Sequence, residues 1–228
     1  MFLTQHGNPS GIRRNIKMES FSGEIKSVKL DLKACAVSII AEEGTGLKGI
    51  EYTGDKKLEP DAVFADGVLT VTQKPVGIFG GGIMAVNKPR LTVTLGKDTV
   101  LNYFDIILRA GDVSVDGITA DWFSEVIDAG NVTISGCTFL KAEINTKAGN
   151  TNISKTNLNQ TVINANAGNV QLDAIEDLGR YNIECKVKTG TIKIADECSS
   201  GQNVSIVRGD EYPDFIKINV KQGNVSVN

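Results

Sequence analysis

The chain is poor in the residues on which most catalytic and metal chemistry rests. Of 228 residues one is histidine, His6, so His-based catalysis and His-ligated zinc have almost nothing to draw on. The four cysteines, Cys35, Cys137, Cys185 and Cys198, are scattered without a C-x-x-C pair. That spacing fits neither a zinc site nor a dense disulfide scaffold and reads as free thiols in a reducing compartment, with one long-range disulfide as the alternative. No apolar run approaches the ~18–20 residues of a membrane helix, so no transmembrane segment is expected. The opening MFLTQHGNPSGIRRNIKMES lacks the apolar core of a secretory signal, because Gly, Asn, Pro and paired Arg interrupt it. As written the chain reads as cytoplasmic, and as a cell-surface protein if an export signal has been removed. A net charge of −3 excludes a nucleic-acid binder working by bulk positive charge. Apolar residues at 41 % and charged residues at 22 % argue against long-range disorder.

What is abundant is glycine, 24 residues, and much of it is periodic. An Ala-Gly-polar-apolar step reads AGDVSV at Ala110, AGNVTI at Ala129, AGNTNI at Ala148 and AGNVQL at Ala167, its glycines 19 residues apart. Degenerate copies follow, TGTIKI at Gly190 and QGNVSV at Gly223. A fixed short period marks stacked repeats. Two and four residues after the glycines stand columns such as Val113, Val132, Thr151, Val170 and Val115, Ile134, Ile153, Leu172. Three and five before stand Leu108, Ile127, Thr146, Ala165 and Ile106, Glu125, Ile144, Ile163. Polar residues fill the positions between, which is the alternation of strands with one wet face.

The inward phase slips by one residue at Gly-Asn, where a straight strand would not slip, so a corner belongs there. Each unit then holds a strand of about seven residues, a corner, a strand of about five and a return. A parallel β-solenoid with ~19-residue coils is the preferred architecture, and an antiparallel meander turning at Gly-Asn is its competitor. VKLDLKACAVSII repeats the same grammar with Cys35 in the glycine position. Strand-like runs follow at 49–53, 67–72 and 90–95. Residues 1–20 are expected to be a loosely ordered leader and 21–228 one elongated β-repeat domain. Within it, 21–100 are less regular strands packed on or capping the regular coils of 101–228. Apolar Ile107 and Val126 on the otherwise outward face predict a cover from 45–95, and Trp122–Phe123 above Tyr103–Phe104 predict a stacked aromatic corner.

The alternating opening strands, the DGVLTV step, RLTVTL and the tandem A-G-[DN]-V-x-[VIL] repeats together resemble the bacterial putative-adhesin β-strand-repeat family, domain of unknown function 4097. The resemblance covers roughly residues 21–228. It implies a right-handed β-helix-like domain and brings no catalytic residues to carry over. Surface adhesins need export, and here the sequence departs from that role.

No catalytic, cofactor or metal-binding residues emerge, and no cofactor is expected. Asp116 and Asp173 lie three coils apart, about 14 Å at ~4.8 Å per coil, too far to work as an acid pair. GIFGGG within 75–84 lacks the Lys-Ser/Thr ending of a phosphate loop and reads as a hairpin tip, whose Ile78 and Phe79 are a candidate contact surface. The column Ser114, Thr133, Asn152, Gln171 forms a second candidate, a flat hydrogen-bonding strip for glycan or protein. Arg208-Gly209-Asp210 reads as coincidence in a Gly- and Asp-rich chain, and the sequons at Asn131, Asn152, Asn159, Asn203 and Asn224 as by-products of the repeat. The expected role is a non-enzymatic, adhesin-like scaffold or binding module for an unidentified protein or glycan, with homo-oligomers through open solenoid ends. An accessory protein of an envelope-stress or signalling system is one alternative, and a carbohydrate-active enzyme is the other.

Overall fold

The 19-residue glycine spacing is a strand register. The computed structural model describes residues 13–15, 24–74, 88–174, 178–209 and 212–228, and all of its strands join one hydrogen-bonded sheet. Strands β1 (Arg13–Asn15), β2 (Ser27–Ala34), β3 (Ala36–Glu42), β4 (Leu47–Thr53), β5 (Asp61–Ala65), β6 (Val68–Thr72) and β7 (Arg90–Gly96) precede the repeats. The repeats are β8 (Val100–Ala110), β9 (Val113–Asp116), β10 (Thr119–Ala129), β11 (Val132–Ser135), β12 (Thr138–Ala148), β13 (Thr151–Ala167) and β14 (Val170–Ala174). Strands β15 (Asn182–Ile194), β16 (Glu197–Arg208) and β17 (Phe215–Val227) follow. The fold is all-β. Among the described residues the only helical turns are 3-10 segments at Lys56–Leu58 and Leu178–Arg180, and none is long and apolar enough to cross a membrane.

Strand β10 lies parallel between β8 and β12, with Ile106, Glu125 and Ile144 in one row. The short strands pair likewise, β11 between β9 and the start of β13. Consecutive repeats within 100–174 are therefore joined in parallel, not as hairpins. The first two repeats each hold an eleven-residue strand and a four-residue strand, and in β13 the short strand runs on into the long one as 17 continuous residues. The long strand exceeds the seven residues expected because it contains a further change of phase. Buried side chains step from Leu101 to Phe104, from Ala120 to Phe123 and from Phe139 to Ala142, and only the run after each step alternates regularly.

The core lies where the columns place it: Val113, Val132, Val170, Val115, Ile134, Ile153, Leu172, Leu108, Ile127, Ile106, Ile144 and Ile163 are all buried. Each Val or Ile so buried stabilises the fold by roughly 1.5–3 kcal/mol. Inside, Phe104 packs tilted against Phe123 and Phe123 stacks on Phe139, with centroids 5.2 and 4.5 Å apart. Their neighbours Tyr103 and Trp122 face outward, so the aromatic corner is divided between the two sides.

Glycine is required at the corner by the corner beneath it. A Cβ on Gly130, Gly149, Gly168 or Gly223 would lie 1.8 Å from the carbonyl oxygen of the adjacent glycine, and each backbone has a φ near +145° that side chains disfavour. Cys35 occupies the same position under Gly111 at the start of the stack. There the Gln73 side chain accepts from Lys33 N–H and Ala34 N–H at 2.9 and 2.8 Å and donates to the Leu58 carbonyl at 2.6 Å.

One expectation about neighbours fails. Strands of 45–95 do not cover Ile107 and Val126. Strands β2 and β3 instead pair edge to edge with β8 and β9, β6 and β7 pair with β2 and β3, and Ile107 stays 36 % exposed. Satisfying the backbone edge outweighs covering two aliphatic side chains. The C-terminal part does not stack in chain order: β17 lies between β13–β14 and β15, so the glycine order in space is 168, 223, 190. Antiparallel pairs finish both ends, β15 with β16 at one, and β4 with β7 and β5 with β6 at the other.

Candidate functional site

Asparagine follows glycine at the corner because its amide satisfies the next winding. Asp112 Oδ1 accepts the Asn131 N–H at 2.8 Å, Asn131 Oδ1 the Asn150 N–H at 3.0 Å, and Asn150 Oδ1 the Asn169 N–H at 3.0 Å. The chain continues through Asn224 to the Thr191 N–H. These groups are occupied by the fold itself.

The strip Ser114, Thr133, Asn152, Gln171 is brought together as expected, in register on the outer side of the short strands and exposed throughout. It is a row on a strand surface, and none of its members lines a described cleft. Ile78 and Phe79 lie outside the described residues, as do the rest of 75–84 and Asp210.

A second asparagine ladder runs outside the long strands. Asn164 Nδ2 donates to Asn145 Oδ1, and Asn219 Nδ2 to Asn164 Oδ1, each at 2.9 Å. Next in the row come Lys186 and Ser205. Two residues along the strands runs a parallel bank of Asn166, Lys221, Lys188 and Asn203. Between the banks lies a trough of about 420 Å³, floored by Ala165, Val220, Val187 and Val204. An amide in such a ladder keeps one N–H and one lone pair for a ligand.

The trough is electropositive. Its lining contains three lysines and no acid. Lys186 is committed to Glu184, which Lys217 also holds at 3.0 Å, and these two partners keep the Glu184 carboxyl below the usual carboxylate range. Lys188 and Lys221 sit opposite each other on neighbouring strands, between the pairs Val187–Val220 and Thr189–Gln222. Among the described residues neither has an ion-pair partner. Earlier in the same column the bases have a partner: Asp128 is held by Lys147 and Arg109, each at 2.6 Å. Sequence reasoning missed the trough because Lys188 and Lys221 are 33 residues apart and become neighbours only through the insertion of β17. Aligning the second residue before each glycine, which gives Arg109, Asp128, Lys147, Asn166, Lys188 and Lys221, holds the signal.

The outward aromatics lie in register along the outer side of the long strands. Tyr103 covers one face of the Trp122 ring (centroids 6.5 Å apart, 23° between planes), and Lys141 Nζ stands 5.8 Å from the Trp122 ring centre.

Three groups in the interior are chemically notable. Glu125 is fully buried, neither carboxylate oxygen has a hydrogen-bond partner, and burial pushes its pKa up to about 8. Cys35 and Cys185 are pushed up to about 12 by burial, which keeps them as thiols rather than nucleophilic thiolates. A separate cleft of about 630 Å³ at the other end is lined by two acids, Glu24 and Asp98, with Thr45, Thr99 and Phe64 among its neighbours. Among the described residues no cluster of His, Cys, Asp and Glu is suited to a metal ion.

Comparison with known proteins agrees with this architecture. The fold is similar to that of a "putative cell adhesion protein" from Clostridium sporogenes, with a TM-score of 0.54 at 14 % identity over 96 % of this chain and 99 % of that one. A "putative adhesin" from Bacteroides fragilis gives 0.51 at 12 % identity over 97 % and 98 %. At such identities the likeness concerns the fold. No curated protein matches the sequence. The profile of the Toastrack family, DUF4097, matches residues 25–228, from the strand before the first corner to the last, and the chain belongs to that family.

Proposed function

We propose that this protein is a non-enzymatic, adhesin-like binding module, built as a right-handed β-solenoid, that holds an extended acidic polymer of the cell envelope in its trough. The observation that carries the reading is the facing pair Lys188 and Lys221, without ion-pair partners among the described residues and flanked by amides with spare hydrogen-bonding capacity. A polymer lying along the stack meets a new row every ~4.8 Å, on a rigid surface with little entropy to lose. Carboxylates or sulfates on that polymer supply the missing counter-charges.

Polygalacturonate and neutral dextran are the probes. Binding of polygalacturonate that weakens with salt, and roughly tenfold more in a Lys188→Ala/Lys221→Ala variant, is the expected result. Equal binding of dextran, or binding untouched by the variant, overturns it.

The enzyme alternative draws on Glu24 and Asp98, which share one cleft. It requires the release of reducing ends from a glycan and their loss in Glu24→Gln. Binding without such release leaves the module reading in place.

A further inference from the structure

The stacking order leaves β16 at the outer edge of the sheet, paired among the described residues with β15 alone and exposed at nine of its twelve positions. Half of its backbone N–H and C=O groups point away from β15, a template for another strand. The opposite end is blunted: β1 covers β4, and the edge strand β5 is five residues long and carries the Asp61–Lys74 ion pair. Strand β16 has none of these protections between its ends. From Cys198 to Val207 it reads CSSGQNVSIV, without charge or proline, and Val207 is 66 % exposed. The charges stand only at its two termini and are opposite, Glu197 and Arg208.

We propose that two copies of this chain join end to end through β16, antiparallel, about a two-fold axis passing through the corner at Gly201–Asn203. Strand β16 is bent there, with Gly201 and Asn203 both at positive φ. A two-fold axis along the bisector of a bent strand exchanges its two arms and reverses their direction, which is the requirement for antiparallel pairing. It places Glu197 against Arg208 of the second copy, Ser199 against Ile206 and Gln202 against Asn203.

The sides match as well. Glu197 and Ser199 pair with the core residues Ile194 and Ile192 of β15, and Val204, Ile206 and Arg208 with Val187, Cys185 and Ile183. The phase slip at the corner thus puts 197 and 199 on the same side as 204, 206 and 208. Without that slip the charged ends would meet on opposite faces, because 197 and 208 differ by an odd number. The interface is the same patch on both copies, so it closes at two, and the unlike far end does not extend it into a filament. The core columns run on through the junction.

The assembly is measured without ligand, so its failure and that of the polymer reading are separate. Light scattering on the intact chain is expected to give twice the monomer mass at micromolar concentration. Glu197→Arg and Arg208→Glu, each creating like-charge pairs, are expected to raise the dissociation constant roughly tenfold, and the double swap to restore it. All of these positions are exposed, so the fold is retained. A Val207→Cys variant, with its new thiol opposite Cys198 of the second copy, is expected to cross-link on oxidation, and Cys198→Ser is expected to abolish the cross-link. A monomer at up to about 100 µM, single reversals without effect, or a cross-link that survives loss of Cys198 overturns the proposal.

Discussion

Glu125 occupies a place that Ile106 and Ile144 fill in the adjacent windings, and it is fully buried without a hydrogen-bond partner. Its carboxyl titrates near 4.5 when unfolded and near 8 when folded, so the folded state binds the proton more tightly. The stability that follows is complete below about pH 4.5 and is lost as pH rises towards and through 8, with a limiting slope of about 1.4 kcal/mol per pH unit. Melting temperature is expected to fall between about pH 5 and pH 8. Glu125→Ile, which restores the aliphatic column, is expected to raise it at neutral pH and to flatten the dependence. An unchanged slope in the variant would assign the effect to another group. Asp128 and Glu184, held below the usual range by lysine and arginine, act with the opposite sign and only in acid. They are solvent-screened and weak.

The corner between the long and short strands is where side-chain chemistry becomes a winding. Gly149→Ala drives a Cβ to 1.8 Å from the Gly130 carbonyl oxygen at a φ of +141°. A loss of roughly 3 kcal/mol or more in urea unfolding is expected, because backbone and not a flexible side chain must move. Gly136, at the other corner, has a φ of +62° and nothing nearer than 3.7 Å to its added Cβ, so Gly136→Ala is expected to cost only about 1–2 kcal/mol. Equal losses would mean that conformation, not the close approach of stacked windings, sets the requirement. That second corner already tolerates a side chain, since Lys155 stands there at a φ of +48°. The first corner was legible in the sequence because Gly-Asn recurs and shifts the apolar phase. The phase change inside the long strand, between Ala120 and Phe123, was not. The residues around it, Asn102, Asp121 and Leu140, share no turn chemistry from one winding to the next.

Strand β17 makes the molecule more than a serial stack. Ile218 lies between Ile163 and Cys185, with windings on both sides. Chain order would have made it part of the outermost winding, a place held instead by β16. Ile218→Ala is therefore expected to cost roughly 2–5 kcal/mol, as much as Ile144→Ala in the middle of the repeats and more than Ile206→Ala on the edge. Urea melts of the three variants measure this, and a small loss at Ile218 comparable to that at Ile206 would contradict the inserted position. The same insertion makes Lys221 the neighbour of Lys188 and so creates the trough. The bare β16 edge was not legible from residue spacing and the trough left only the signal of an aligned lysine pair, whereas the Ser114–Gln171 strip, built within consecutive repeats, was legible.

The winding length, the glycine corner, the inward columns and the asparagines that link corners were all written in local chemistry, repeated often enough to be read. Each depends on a residue's own stereochemistry and on a neighbour 19 positions away. The order of the windings beyond Gly168, the turning of β2 and β3 onto β8 and β9, and the choice of exposed edge came from packing in three dimensions. Parallel backbone ladders carry no side-chain code, so any winding with matching columns fits beside any other. Chain connectivity and the burial of free edges settle which ones meet.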